Sequence, residues 1–322
     1  MLAKSAFDNG LLQNITDKLF NSLKSCSICP RKCKVNRLKN ETGFCKTGIF
    51  PRVYSFMAHH GEEPPISGTN GSGTIFFSGC NMNCVYCQNY KFSQSEQGKE
   101  TNFEDLAQIM LHLQELNCHN INLVTPTHIL PQILKSLIIA IDKGLKLPIV
   151  YNTSGYESVK TIKALNGIID IYLADMRYHD PQMSLKYSNA PEYPKHNQEA
   201  IKEMHNQVGV AKFNQDGIME RGLIIRHLVL PNNISGTEDI MKFIASEISP
   251  ETYISLMSQY TPYYKSNEFK EISRKITLEE YKEAEISMER YGLHNGWTQD
   301  SHGLESLAGV NIKPKTLNNK KP

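Results

Sequence analysis

The stretch GTIFFSGCNMNCVYCQNY, residues 73–90, decides the fold and most of the chemistry. Its first part is an apolar run closed by Ser78-Gly79, the pattern of a strand buried on both faces of a parallel sheet. Its second part sets Cys80, Cys84 and Cys87 at C-x3-C-x2-C spacing on the loop that follows. Three thiolates on one short loop can cap three corners of a compact cluster. A [4Fe–4S] cube has four irons, so three cysteines leave one iron open for chemistry. A zinc site completed by His59 or His60, or a closed electron-transfer cluster completed from elsewhere, are the alternatives. The spacing is not a common one for zinc.

Downstream of this loop, apolar runs alternate with helical patterns. The strand-like runs are 73–79, NINLVTP (120–126), PIVYNTS (148–154), IDIYLADM (169–176), GLIIRHLVLP (222–231) and TYISLMSQY (252–260). The helical patterns are 104–116, 130–143, 157–165, roughly 195–208, 237–248 and 277–291. Thr277 and Glu280 have capping-box spacing at the start of the last one. Strict alternation of strand and helix implies an α/β fold with a parallel sheet. Periodicity leaves open a doubly wound sheet or an open, partial barrel. In either, chemistry gathers at the carboxyl ends of the strands. Those ends carry Cys80, then Thr125–His128, then Asn152–Ser154, then Asp175. Arg226 and His227 are neighbours inside one apolar strand, so their side chains point to opposite faces. Gln259 and Tyr260 close the sixth run.

The bulk numbers fit a soluble globular chain of 322 residues, 40% hydrophobic and 21% charged, with a formal net charge of +2. So small a net charge gives no footprint for nucleic acid. No apolar run approaches the ~18 residues of a membrane span, and the first twenty residues lack the apolar core of a signal peptide. The expectation is a cytoplasmic protein with no membrane partner. The segment from Lys313 to Pro322 is basic and polar and reads as a tail.

Seven of the eight cysteines fall in two tight groups, which in a chain without an export signal favours metal over disulfides. Cys118 stands alone and reads as a small buried hydrophobe. The N-terminal group, CSICPRKCKVNRLKNETGFC, spaces Cys26, Cys29, Cys33 and Cys45 as C-x2-C-x3-C-x11-C. Four thiolates make a closed site that can hold structure but cannot bind substrate. Zinc suits such a set, and a second iron–sulfur cluster is the alternative, since Pro30 follows Cys29 as in iron–sulfur runs.

With these motifs the chain resembles a known family. C-x3-C-x-aromatic-C after the first strand of an α/β barrel is the signature of the radical S-adenosylmethionine (SAM) superfamily. The segments SGCNMNCVYCQN, LVTPTHILPQI, YNTSGYE, IYLADMRY, IIRHLVLPN and SLMSQYTP are similar to those of iron–sulfur proteins related to pyruvate formate-lyase activating enzyme. The resemblance runs from about Cys26 to Trp297. It implies a partial (β/α)6 TIM-type barrel over 67–297, a Cys-rich extension over 1–66 and a tail over 298–322. It also implies a [4Fe–4S] cluster and SAM as cofactors and a low-potential electron donor. Reductive cleavage of SAM would give a 5′-deoxyadenosyl radical that takes hydrogen from a protein, peptide or small-molecule substrate. Tyr86 would lie against the adenine, and Thr125, His128, Asn152, Ser154 and Asp175 are the remaining candidates for holding the cofactor.

The chain departs from activating enzymes in two places. Thr125-Pro126-Thr127-His128 stands where they carry Gly-Gly-Glu, and Asp175-Met176-Arg177 where they carry Asp-Leu-Lys. Arg keeps the charge of Lys but changes its geometry. A non-enzymatic iron–sulfur electron carrier is the competing functional class. It would need a fourth ligand and would not cleave SAM.

Overall fold

The computed structural model describes residues 1–298 and residue 315. Ten strands form around one sheet: β1 Arg52–His59, β2 Ser72–Phe77, β3 Lys99–Glu100, β4 Ile121–Val124, β5 Ile149–Thr153, β6 Ile171–Asp175, β7 Lys212–Phe213, β8 Met219–Leu228, β9 Tyr253–Met257 and β10 Gly296–Thr298. Their order is β10-β9-β8-β6-β5-β4-β2-β1-β3, with β7 hydrogen-bonded to β8. From β2 to β10 every neighbouring pair on this path is parallel. β1 runs antiparallel to β2, which makes the sheet mixed.

The six apolar runs of the sequence are β2, β4, β5, β6, β8 and β9, and they lie side by side in chain order. A doubly wound sheet reverses its strand order at a switch point. No reversal occurs here. Helices Phe103–Glu115, Leu130–Asp142, Val159–Ala164, Tyr193–Val208, Thr237–Phe243 and Leu278–Arg290 make the crossovers. Asn102 caps the first of these by accepting from the Asp105 N–H at 2.7 Å. Thr277 and Glu280 cap the last in a reciprocal box. All side chains of β2, β5 and β6 are buried, as their unbroken apolar pattern predicts. Each fully buried Ile, Leu or Phe of this sheet contributes about 1.5–3 kcal/mol. Ile75, Phe77, Leu123 and Tyr151 join the main core with the inward faces of the helices.

Three features escape the sequence pattern. β1 mixes Arg52, Ser55 and His59 with apolar residues, the mark of an outer antiparallel strand, and it lies on the N-terminal side of the expected boundary at residue 67 while pairing with β2. Helix Pro181–Ser188 is too short and polar to show a helical stripe. The expected helix 237–248 is α-helical to Phe243 and widens into a π turn over Ile244–Ile248. The N-terminal helices Leu2–Asp8 and Leu11–Asn21 pack towards helix Leu130–Asp142, and the Leu2 N–H donates to Asp170. No helix among the described residues is long and apolar enough to cross a membrane. Apart from Thr298 and Lys315, the expected tail lies outside the described residues.

Candidate active site

β2 delivers the cysteine loop through Gly79. Its φ is +82°, and a Cβ there would come within 2.5 Å of the Cys45 carbonyl oxygen, so only glycine fits the turn. The loop is then pinned to helix Pro181–Ser188: the Asn83 and Val85 N–H groups donate to the carbonyls of Ser188 and Tyr187. Each cysteine has its own polar partner. The Met82 N–H donates to Cys80 Sγ at 3.3 Å. Ser188 Oγ donates to Cys84 Sγ at 3.1 Å, and Arg177 Nη1 approaches the same sulfur at 3.5 Å. Cys87 Sγ lies 3.1 Å from Ser93 Oγ.

Burial pushes the Cys80 thiol well above its ordinary value and the Cys87 thiol up to about 11. Cys80 and Cys87 therefore ionise only where a cation takes the charge. Three sulfurs on one loop, Cys84 buried and Cys80 and Cys87 half-buried, each beside a donor or hydroxyl, are the donor chemistry of a thiolate-held metal cluster. The residues fit a [4Fe–4S] group with one open iron.

Tyr86 is buried between the second and third cysteines, with its ring 5.7 Å from that of Tyr260 in an edge contact. Its hydroxyl lies 2.6 Å from the Tyr178 hydroxyl, which lies 2.7 Å from Ser188 Oγ. A thiolate can only accept, so with Cys84 ionised this chain runs in one direction, Tyr86 to Tyr178 to Ser188 to Cys84. Tyr178, in the segment after β6, and Ser188, at the end of a short helix, carried no sequence signal, because single hydroxyls there read as ordinary surface.

The three cysteines line a cavity of about 730 Å³ to which β2, β4, β5, β6, β8 and β9 all contribute side chains. Thr125, Asn152, Ser154, Asp175 and Tyr86 line it too. Thr125 has φ +55°, a strained conformation for a β-branched residue that costs on the order of 1–3 kcal/mol. Asp175 is the hub. Its Oδ1 accepts from Arg226 Nε at 2.7 Å, and its Oδ2 accepts from Arg177 Nε at 3.0 Å and Nη2 at 2.6 Å. Burial alone would raise the Asp175 carboxyl, but Arg226 and then Arg177 hold it below the usual carboxylate value. Asp175 thus presents Arg177 to Cys84 rather than offering a free carboxylate. Asn152 Oδ1 accepts from Arg226 Nη2 at 2.6 Å, and the Ser154 hydroxyl has no partner among the described residues.

His128 does not join this group. It lies under the Gly79 turn, with Nε2 3.0 Å from the Ser78 carbonyl oxygen, and burial lowers it to about 4, so it is neutral. Of the adjacent pair in β8, Arg226 faces the cavity. His227 packs on the other side between the Met176 carbonyl at 2.7 Å and Thr237 Oγ1 at 2.9 Å.

The N-terminal cysteines form a separate group. Cys26, Cys29, Cys33 and Cys45 line one small space of about 10 Å³ with Ile28, Val35 and Phe44. Burial pushes Cys29 up to about 12. Fully buried Arg37 reaches Cys26 Sγ at 4.0 Å and donates to the His128 carbonyl at 2.6 Å, tying this group to the loop after β4. Across the described residues, no three His, Cys, Asp or Glu side chains converge closely enough to hold a single ion.

Two further acids were missed. Glu63 is buried and Glu62 half-buried, and both line the cavity. In sequence they read as a solvated charge pair before Pro64-Pro65. Glu157, also missed, is fully buried and accepts from Thr127 Oγ1 and Thr153 Oγ1, each at 2.5 Å, and from the Tyr151 hydroxyl at 3.2 Å.

Comparison with known proteins bears on this geometry directly. The sequence profile of the radical SAM superfamily matches residues 74–244, which include the cysteine loop and Asp175. The chain belongs to the radical SAM superfamily. Among its relatives is the uncharacterized protein MJ0674 of Methanocaldococcus jannaschii, 34% identical over 85% of this chain and 77% of its own. A second protein of that organism, MJ0808, is 24% identical over 82% and 80%. Solved structures with a similar fold include the FeFe-hydrogenase maturase HydG of Carboxydothermus hydrogenoformans (14% identity, TM-score 0.47, 72% of this chain and 54% of that one). Methylornithine synthase PylB is another (15%, TM-score 0.44, 66% and 59%). The chain thus spans little more than half the length of these two structures. This radical SAM enzyme carries the superfamily's [4Fe–4S] cluster and SAM chemistry.

Proposed function

We propose that this radical SAM enzyme acts as an oxidoreductase of the pyruvate formate-lyase activating type, abstracting hydrogen from a protein or peptide. The observation that carries the reading is the placement of Cys80, Cys84 and Cys87, each beside a polar partner, at the wall of a large cavity. An electron carrier needs no such space, and a reacting pair of ligands does. When bound, the cluster supplies the electron that splits SAM into methionine and the 5′-deoxyadenosyl radical.

The chain's own residues do the rest. Arg177, fixed by Asp175, holds positive charge beside Cys84 and offers a site for the cofactor's carboxylate. Thr125, Asn152 and Ser154 supply short polar groups along one wall, and Tyr86 supplies an aromatic face for the adenine. Contribution of all six parallel strands to one cavity supports a sheet curved into an open barrel. The Cys26, Cys29, Cys33 and Cys45 group holds a structural metal, zinc by its four-thiolate chemistry. The enzyme works in the cytoplasm and draws on a low-potential electron donor.

The test supplies reduced, anaerobically reconstituted enzyme with SAM and deuterated candidate substrates. Deuterium arriving in 5′-deoxyadenosine from a polypeptide supports the reading. Deuterium arriving only from a small molecule replaces the substrate class, and a cavity floored by helix Pro64–Ser67 could enclose such a ligand.

A further inference from the structure

β1 ends at His59, and the chain turns through residues 60–63 into helix Pro64–Ser67. His59 pairs with Ser72, the first residue of β2, whereas the cysteine loop follows Phe77, the last. Five steps of ~3.3 Å put the two ends of β2 roughly 17 Å apart. Yet Glu62 and Glu63 line the same cavity as the three cysteines. Arg226 spans from Asp175 to Glu62, so these acids lie one guanidinium beyond Asp175.

Charge is unbalanced there. Among the described residues, the cavity's carboxyls are Glu62, Glu63 and Asp175, and its guanidinium groups are Arg177 and Arg226. Both guanidinium groups already have a carboxylate partner. Arg226 places Nε on Asp175, Nη2 on Asn152 and Nη1 3.5 Å from Glu62 Oε2. Arg177 divides its nitrogens between Asp175 and Cys84. Glu62 is also approached by Asn152 Nδ2 at 3.4 Å and by His59 Nδ1 at 3.7 Å. Glu63 is left over. It is 9% exposed, and its Oε2 is buried with no hydrogen-bond partner among the described residues. An unpaired buried carboxyl is costly, and a mobile cationic donor removes the cost and the charge excess together.

We propose that Glu63, backed by Glu62, is a recognition site for a cationic nitrogen group, an amine or guanidinium, on the substrate. This rests on the radical-enzyme reading of the cavity and narrows the substrate class within it. The cofactor's amino acid end would be held at Arg177 beside Cys84, with Asp175 and Arg226 standing between that position and Glu62. Burial, partly offset by Arg226, pushes Glu63 up to about 7, so the vacant site is poised to lose its proton when a cation arrives. Glu62 is raised as well, by burial first, and burial lowers His59, which disfavours its imidazolium as the cation beside Glu62.

The experiment titrates reconstituted, SAM-loaded enzyme with n-butylamine and with n-butanol, followed by calorimetry, in the wild type and in Glu63→Gln. The wild type should bind the amine at least tenfold more tightly than the alcohol, and Glu63→Gln should erase the preference while its cluster absorbance persists. A preference that survives the substitution, or one that the wild type lacks, overturns the proposal. Infrared difference spectra of the wild type below neutral pH guard against a variant that fails to fold. The amine, and not the alcohol, should remove a protonated-carboxyl band, and a band that persists at amine saturation also overturns the proposal. 5′-Deoxyadenosine formation by the same wild-type preparation is scored separately. Its absence overturns the radical reading, whereas a failed titration with 5′-deoxyadenosine present overturns the cationic site alone.

Discussion

The two cysteine groups use the same residue and share a C-x2-C element, yet they sit in opposite surroundings. Cys80, Cys84 and Cys87 border about 730 Å³ of space lined by both polar and apolar side chains, with a guanidinium and hydroxyls beside them. Cys26, Cys29, Cys33 and Cys45 enclose about 10 Å³ walled by apolar side chains. Three thiolates beside a cavity leave room for a coordination position where chemistry can occur, and a set of four thiolates on a single metal would leave none. The lesson is that ligand number and the space beyond it separate a reacting centre from a holding one. Contact between the groups is close, since Gly79 packs on the Cys45 carbonyl, so each can perturb the other mechanically.

The largest effect should come from exchanging a ligand in each group. Cys84→Ala should abolish 5′-deoxyadenosine formation. Cys29→Ser should retain it while lowering the thermal midpoint and opening residues 26–45 to amide exchange, because that segment is polar and has little else to order it. Metal analysis sharpens the contrast. About four irons and one zinc per chain fit one reacting and one structural site, whereas roughly eight irons and no zinc would make both groups clusters.

Asp175→Asn should come next. It weakens the hold on Arg177 and Arg226, and SAM affinity should fall by about 1.5–3 kcal/mol while the iron content of the reconstituted enzyme stays unchanged. Unchanged affinity in a calorimetric titration would detach Asp175 from the reacting centre.

Both the fold and the reacting centre were partly legible in the sequence. The six apolar runs, their order and the Cys80 loop were readable because a strand buried on both faces has no alternative pattern. Asp175 was readable because an acid closing such a strand needs a partner. Its partners were not, since Arg177 and Arg226 meet only through the parallel register of β6 and β8. Glu62, Glu63 and Glu157 were hidden because a carboxylate's burial depends on chain segments far from it. His128 shows the reverse error: a strand-end position suggested the cavity, but a single turn carried its ring beneath Gly79.

Glu157 offers a smaller test that separates the scaffold from the chemistry. Burial raises it from 4.5 to about 7 despite its hydroxyl donors. A raised value means the native state holds the proton more tightly than the unfolded chain. Its stabilising contribution is therefore full below pH 4.5 and is lost as pH rises through about 7. Relative to Glu157→Gln, the wild type should lose thermal stability across that window, and parallel pH curves would contradict it. The smallest effect is expected from Ser188→Ala. Removing one donor from Cys84 should move the cluster's midpoint potential to more negative values in a redox titration, without loss of iron.

The central claim is that Cys80, Cys84 and Cys87, and not the N-terminal four, carry the radical chemistry. The direct measurement is 5′-deoxyadenosine released on reducing reconstituted enzyme with SAM, in the wild type and in the variant with all three cysteines changed to Ala. The account predicts release by the wild type and none by the variant. Equal release from both would contradict it.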